Sequence, residues 1–275
     1  MKQKLLLTLS ALVCFVALSS HDLFLKLKTF YLEPNTVAQI AVYNGTFTSS
    51  EAVLARERMN LVALINPGEE ASRPSDDRWF EENNQTLLKI KTGEEGTGVF
   101  GVSTVPRVND YTAERFVESL KHEGLTNLLA ERKKSGEDKN PARKSYSKHV
   151  KAIFQVGEKR SDDYKTVLGF PIELIPVNNP YSVKVGSELS MQLLIEGRPA
   201  ANEMVYASYE GQHGYDENGK PTDAFRAMTD TNGIVTATIT RPGHWYFRTV
   251  NMVPTSKKEA DYESLSAVVT FEIKE

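Results

Sequence analysis

The stretch Arg226 to Val253, RAMTDTNGIVTATITRPGHWYFRTVNMV, leaves little room for anything but β structure. Thr229-Asp230-Thr231-Asn232-Gly233 is turn chemistry, because Asn-Gly supplies the positive-φ positions that a tight hairpin needs. Ile234 to Thr240 then alternates Ile234, Val235, Ala237 and Ile239 with Thr236, Thr238 and Thr240, the period-two signature of a half-buried strand. Pro242-Gly243 turns the chain again. His244 to Val250 is the most aromatic run in the sequence, and aromatic and β-branched residues favour a strand that anchors a core. The expectation is a hairpin around Asp230–Gly233, with Trp245, Tyr246 and Phe247 packed inside a C-terminal sandwich.

The rest of the chain repeats this grammar. Strands are expected over His21–Leu27, Val37–Tyr43, Met59–Ile65, Leu87–Lys91, Val99–Val105, Tyr146–Val156, Val167–Ile175, Ser190–Ile195, Met204–Tyr209 and Leu265–Ile273, with Leu87–Lys91 and Val99–Val105 each flanked by Gly, Asn or Pro. Asn44-Gly45 is expected to turn the chain. Short strands spaced by turn signals argue for a sandwich or barrel rather than β/α alternation. One segment departs from the pattern. Thr112 to Lys134 carries Phe116, Leu120, Leu125, Leu128 and Leu129 at roughly helical spacing, with Thr112 as N-cap and Gly124 as a break between two helical pieces. Lys133 to Lys144 follows as a charged, solvated connector. Val177-Asn178-Asn179-Pro180 is the expected domain boundary. The fold class is therefore mainly all-β, with two β-sandwich-like domains over 21–178 and 179–275. The second is immunoglobulin- or transthyretin-like, and the first carries a helical insertion near 112–134.

The first 20 residues, MKQKLLLTLSALVCFVALSS, place two lysines before an apolar run and small residues after it, the pattern of a secretory signal peptide. Cleavage after Ser19 leaves Ser20-His21 as the new terminus, and cleavage one residue later exposes His21 itself. Periplasmic or otherwise exported localisation follows. No later segment approaches the roughly 20 apolar residues that span a bilayer. Cys14 leaves with the signal, so the mature chain is expected to have no disulfide, thiolate metal site or cysteine nucleophile. With 33 basic and 36 acidic residues, the balance gives no reason to expect nucleic acid as a partner.

Taken together, several motifs are familiar: His-Asp-Leu-Phe-Leu from His21, Glu123-Gly124-Leu125, Tyr146-Ser147-Lys148, and Gly169-Phe170-Pro171-Ile172-Glu173-Leu174-Ile175-Pro176 leading to Asn179-Pro180. Thr229-Asp230-Thr231-Asn232-Gly233, Gly243-His244-Trp245-Tyr246 and Asp261-Tyr262-Glu263-Ser264 complete the set. In this order they resemble the DUF4198 family, secreted bacterial proteins that include periplasmic components associated with nickel or cobalt uptake. The resemblance implies an all-β fold and a metal role in which the N-terminal histidine is a natural ligand. Many such proteins carry a second histidine late in the aromatic strand, in a His-Met pair. This chain has Asn251-Met252 there, and asparagine is a poor ligand for a borderline divalent ion.

Four residues are the metal-ligand candidates. His21 at a processed terminus offers both its amino group and its imidazole to one ion, and Ser19-Ser20-His21 would make the third-position chelate that suits Cu²⁺ or Ni²⁺. Asp22 beside it is a second ligand or an orienting carboxylate. His244 heads the aromatic strand after a turn. His213 lies in an oxygen-rich loop whose spacing does not match a calcium loop. His122 and His149 are expected to be solvated. No HExxH, GxSxG, P-loop or GxGxxG occurs, and no nucleophile with a base and orienter can be assembled, so an enzyme is not expected. The reading is a binding protein for Ni²⁺ or Co²⁺, with Cu²⁺ or Zn²⁺ as alternatives, acting with a metal-uptake transporter or outer-membrane receptor. The alternative is a non-catalytic module that recognises a protein or polysaccharide at the cell surface.

Overall fold

The structure is a computed structural model that describes residues 22–212 and 223–275. Its centre is a nine-stranded sheet. In order across the sheet run Phe225–Met228, Met204–Tyr209, Gly243–Pro254, Tyr262–Ile273, Ala142–Val156, Gly96–Thr104 and Met59–Ile65; Tyr31–Leu32 and Arg107–Tyr111 also pair with Ala142–Val156. A five-stranded sheet orders Asp22–Lys26, Val37–Gly45, Gln85–Lys91 and Trp79–Glu82, with Ser50–Ala52 on Val37–Gly45. In a four-stranded sheet Glu188–Ile195 pairs with Ile172–Pro176, Arg198–Pro199 and Ile234–Thr238. The fold is mostly β, as its sequence pattern implies. Among the described residues no helix is long and apolar enough to cross a membrane.

Opposed residues on paired strands share a face of the sheet, and successive residues alternate between faces. One face of the central sheet carries His244, Tyr246 and Arg248, with Thr270 and Val268 opposite the latter two, and Ala152 and Val150 beyond. The five-stranded sheet packs here, with Phe24 and Phe47 against Tyr246 at ring-centroid distances of 5.2 and 4.8 Å. The other face carries Trp245, Phe247, His149 and Lys151, and receives the Phe170–Glu173 segment. The aromatic run therefore splits. Trp245 and Phe247 are buried on one side, while Tyr246 belongs to the core formed with the N-terminal strands rather than to a C-terminal sandwich alone.

The helical insertion forms as Ala113–His122 and Thr126–Ser135. The Thr112 side chain accepts from Arg115 N, which caps the first helix. Gly124 at φ +70° ends it. Phe116, Leu120, Leu128 and Leu129 form a second core with Ala142, Met252 and Tyr262, seating the hairpin at the end of the central sheet. The supposed connector is shorter than expected: helix runs to Ser135, a 3-10 turn covers Glu137–Lys139, and strand begins at Ala142.

Two turn expectations need correction. Asp230 Oδ1 accepts from both Asn232 N and Ile234 N, so a tight turn forms. Yet the strands on either side are not hairpin partners, because Phe225–Met228 joins the central sheet and Ile234–Thr238 the four-stranded one. Of Asn232 and Gly233 only the glycine has positive φ. Asn44-Gly45 does not turn either; it ends the Val37–Gly45 strand at a bulge. Strands from both sides of the expected division at 178 and 179 share the central sheet, where Lys144–Ala152 runs parallel to Tyr262–Thr270, and one hydrophobic core includes residues from both sides.

Candidate functional site

The N-terminal strand Asp22–Lys26 lies over Gly243–Pro254 so that their alternating side chains meet in three steps. Asp22 Oδ2 is 3.8 Å from Arg248 Nη1. Phe24 stacks edge-on to Tyr246. Lys26 and His244 share one carboxylate, Glu210: Lys26 Nζ donates to Oε1 at 2.5 Å and His244 Nδ1 lies 3.0 Å from Oε2. Two charged clusters are thus held apart by an aromatic layer, about 13 Å along the strand at ~3.3 Å per residue.

At the first step the helical insertion adds Glu123, whose Oε2 is 3.5 Å from Arg248 Nη1. Arg248 lies over the Tyr206 ring at 4.7 Å, and Tyr206 Oη reaches the Glu123 carbonyl at 3.5 Å. All three charged side chains are sheltered, at 18 % exposure for Asp22, 5 % for Glu123 and 12 % for Arg248. Burial raises the Asp22 carboxyl above its usual range; Arg248 draws it back, the Glu123 charge pushes it up again, and Lys148 and His122 oppose that. Burial lowers the Lys148 ammonium, against the pull of Asp22 and Glu123. Burial also raises Asp223, which feels Arg248, Arg226 and His122. His122 is half-buried, not solvated. This junction of two sheets and a helix hairpin is the candidate site.

At the other step His244 is a packed residue rather than an accessible ligand. It is 14 % exposed, with Phe30 edge-on at 5.1 Å. Its Nδ1 is near Glu210 but out of line for a hydrogen bond, and Nε2 lies 3.8 Å from Glu272 Oε2. That same Glu272 oxygen accepts from Phe30 N at 2.7 Å and Thr29 Oγ1 at 2.8 Å. Burial lowers the His244 imidazole despite Glu272 and Glu210. The structure therefore does not bring Asp22 and His244 together. His21 and His213 lie outside the described residues. Asn251 faces away from the junction and donates to Glu203 Oε1 at 3.0 Å, so the residue type there does not alter the Asp22 surroundings.

His149 was expected to be solvated and is instead 2 % exposed. Its Nδ1 pairs with Ser103 Oγ at 2.9 Å and its Nε2 with Ser147 Oγ at 3.0 Å. Burial pushes the imidazole down to about 4. Beside it Lys151 and Glu173 form a buried ion pair, and Glu173 also accepts from Leu168 N and Phe170 N. These residues tie the Gly169–Pro176 segment to the sheet.

The donors at the junction, carboxylate and imidazole, suit a borderline divalent ion such as Ni²⁺ or Co²⁺. Among the described residues, however, no three His, Cys, Asp or Glu side chains form a group able to hold a metal. A metal here fits only if His21, the residue next to Asp22 in the chain, completes the set. Sequence reasoning found Asp22 but passed over Glu123, Lys148 and Arg248. The only signal was that Glu123 and Lys148 sit within the motifs Glu123-Gly124-Leu125 and Tyr146-Ser147-Lys148, and that Arg248 follows Gly243-His244-Trp245-Tyr246 by two positions.

Among solved structures, the chain is similar to the D0-D1 domain of intimin at 11 % identity, covering 90 % of this chain and 96 % of that one with a TM-score of 0.20. The Yersinia pseudotuberculosis adhesin InvE gives 14 % identity, 90 % and 58 % coverage and a TM-score of 0.21. Salmonella alpha-2-macroglobulin reacted with methylamine gives 9 %, 91 % and 15 % with 0.25. Scores this low say nothing of this chain's activity. No curated protein matches the chain. Residues 18–253 match the family described as a domain of unknown function, DUF4198, and the chain belongs to that family.

Proposed function

We propose that the protein is an exported, non-catalytic binding protein that takes a divalent transition metal, nickel or cobalt, at the Asp22 junction in support of uptake. His21 would supply the first donor and Asp22 the second. The observation that supports this reading is the under-compensated carboxylate of Asp22, sheltered next in the chain to His21 and within electrostatic reach of His122. A metal uptake transporter or outer-membrane receptor is the partner that would receive the ion. Isothermal titration of the processed protein with NiCl₂ and CoCl₂, with Cu²⁺ and Zn²⁺ for comparison, tests it. Micromolar or tighter binding that weakens at least tenfold in His21→Ala and in Asp22→Asn is expected. No binding, or binding indifferent to both substitutions, rejects the site.

A second reading, surface recognition of a protein or polysaccharide, is favoured by a groove of about 690 Å³ lined by Arg56, Asp76, Trp79, Phe80 and Glu81. Arg56 stacks on Trp79 at 3.8 Å and pairs with Asp76 at 2.8 Å, while the buried Trp79 Nε1 has no partner. Aromatic and charged groups of this kind grip polymers through stacking and hydrogen bonds. Retention on immobilised glycans that disappears in Trp79→Ala, without metal, would favour it.

A further inference from the structure

Two cavities adjoin along residues 72–80. The first, of about 420 Å³, is lined in part by Asn66, Glu69, Arg73, Arg78 and Lys91. The second is the groove beside Trp79, and Arg73 lines both. The strip of chain between them is pinned at its two ends. Ser72 exchanges two backbone hydrogen bonds with Leu64 at 2.8 Å, and Trp79 pairs with Leu88 in the five-stranded sheet. The groove is therefore formed before any ligand arrives, which lowers the ordering cost of binding. Each cavity is lined by a residue with one buried polar atom that has no hydrogen-bond partner among the described residues: Asn66 Oδ1 in the first, Trp79 Nε1 in the second. Asn66 is 8 % exposed, and its Nδ2 already donates to Glu69 Oε2 at 3.1 Å and to the Lys91 carbonyl at 3.3 Å. Only its acceptor is left over. Buried polar groups in folded proteins are as a rule bonded, so an unmet acceptor and an unmet donor each call for an occupant. A hydroxyl group answers either one, because it both donates and accepts.

Charge divides the groove. In the second cavity Arg56 is engaged by Asp76 at 2.8 Å and covers the Trp79 ring at 3.8 Å, so what the tryptophan offers is its N–H. Around the first cavity Arg73, Arg78 and Lys91 are exposed, and none of them forms an ion pair among the described residues. We propose that this groove binds an acidic polysaccharide, a chain of hydroxylated sugar units bearing carboxylates. The carboxylates sit at Arg73, Arg78 and Lys91, and sugar hydroxyls meet Asn66 Oδ1 and Trp79 Nε1. This rests on the polysaccharide form of the surface-recognition reading above and names its ligand. A guanidinium fork matches the two oxygens of a carboxylate. A simple anion such as phosphate would answer the cations and the indole N–H but brings no second class of group along the groove, and two joined cavities suit a chain.

The test titrates the processed protein with oligogalacturonate, with neutral malto-oligosaccharide of equal length, and with poly-glutamate. Oligogalacturonate is expected to bind, and to bind more weakly as salt is raised. The neutral sugar and the acidic peptide, each lacking one half of the chemistry, bind at least about tenfold more weakly. Arg78→Gln lies outside the Trp79 cavity and is expected to weaken oligogalacturonate about tenfold, the loss of one charge-assisted contact, without changing the melting temperature. Lys91→Gln repeats that result at a second exposed position. Trp79→Phe keeps the aromatic ring and removes the indole donor, and it weakens both sugars. Equal affinity for the acidic and neutral sugars overturns the acidic ligand while polysaccharide recognition stands. Equal affinity for poly-glutamate, or binding indifferent to Arg78→Gln and Lys91→Gln, also overturns the proposal. If neither sugar binds, the polysaccharide reading itself fails and the proposal falls with it.

Discussion

Asp22 and Arg248 face one another at 3.8 Å from two different sheets, although 226 positions of chain separate them. Phe24 over Tyr246 continues the same facing arrangement one step further in. The charged junction therefore depends on the aromatic layer beneath it. Phe24→Ala is expected to cost about 3–5 kcal/mol, the usual range for emptying a buried phenylalanine position. Chemical denaturation reads this directly; a cost under about 1 kcal/mol would show that the layer repacks and does not set the spacing.

His244→Ala separates the two charged clusters functionally. Because the aromatic layer lies between His244 and Asp22, this variant is expected to lose stability while leaving any Ni²⁺ or Co²⁺ affinity within about twofold of wild type. A tenfold loss of affinity would instead place His244 in the site.

Gly124 sets the angle at which Glu123 enters the junction. A side chain there meets two obstacles: φ is +70°, and a Cβ would come 1.8 Å from Tyr206 Oη. Gly136 is the natural control, with φ +75° and open space around its Cβ position. Gly136→Ala should show only the backbone cost of about 1 kcal/mol, and Gly124→Ala at least about 2 kcal/mol. Equal losses in urea denaturation would mean that Tyr206 moves aside freely.

His149 makes stability depend on pH in a direction that follows from its burial. The folded imidazole titrates at about 4, below the unfolded value of 6.5, so the unfolded chain binds the extra proton between these pH values. Its contribution is complete above pH 6.5 and is lost as pH falls towards 4, by about 3 kcal/mol. In His149→Gln this part of the pH slope is expected to disappear. An unchanged slope would assign the acid sensitivity to other groups.

Lys151 and Glu173 are each almost wholly enclosed, with 4 % and 1 % of their side chains exposed. Lys151→Met leaves Glu173 as a buried charge answered only by two backbone amides. A loss of about 3–5 kcal/mol is expected, as for other buried pairs broken from one side. Glu173→Gln should behave similarly, because Lys151 then loses its anion. A near-neutral effect of both would mean that water reaches the pair.

Much of this architecture was legible locally. The alternation from Ile234, the aromatic run after Gly243, and the Thr112 cap and Gly124 stop of the helix hairpin all depend on neighbours a few residues away. Periodicity also fixes that His244, Tyr246 and Arg248 share one face. It does not say which face is buried against what, so His149 and Lys151, polar in sequence, gave no sign of their enclosure.

The sequence by itself determined a β-rich chain with a two-helix insertion and membership of one family. Only the tertiary structure decided that Ala142–Val156 lies parallel to Tyr262–Ile273, and that the strands around Asp230–Gly233 part into different sheets. It also decided that Asp22 meets Arg248 and Glu123 rather than His244. The physical reason is that ladder hydrogen bonds are made by backbone groups every residue possesses, so local pattern chooses strand and face but not partner. Partnership is settled by how the apolar faces close on one another, and the packing of Phe24 on Tyr246 keeps Asp22 opposite Arg248.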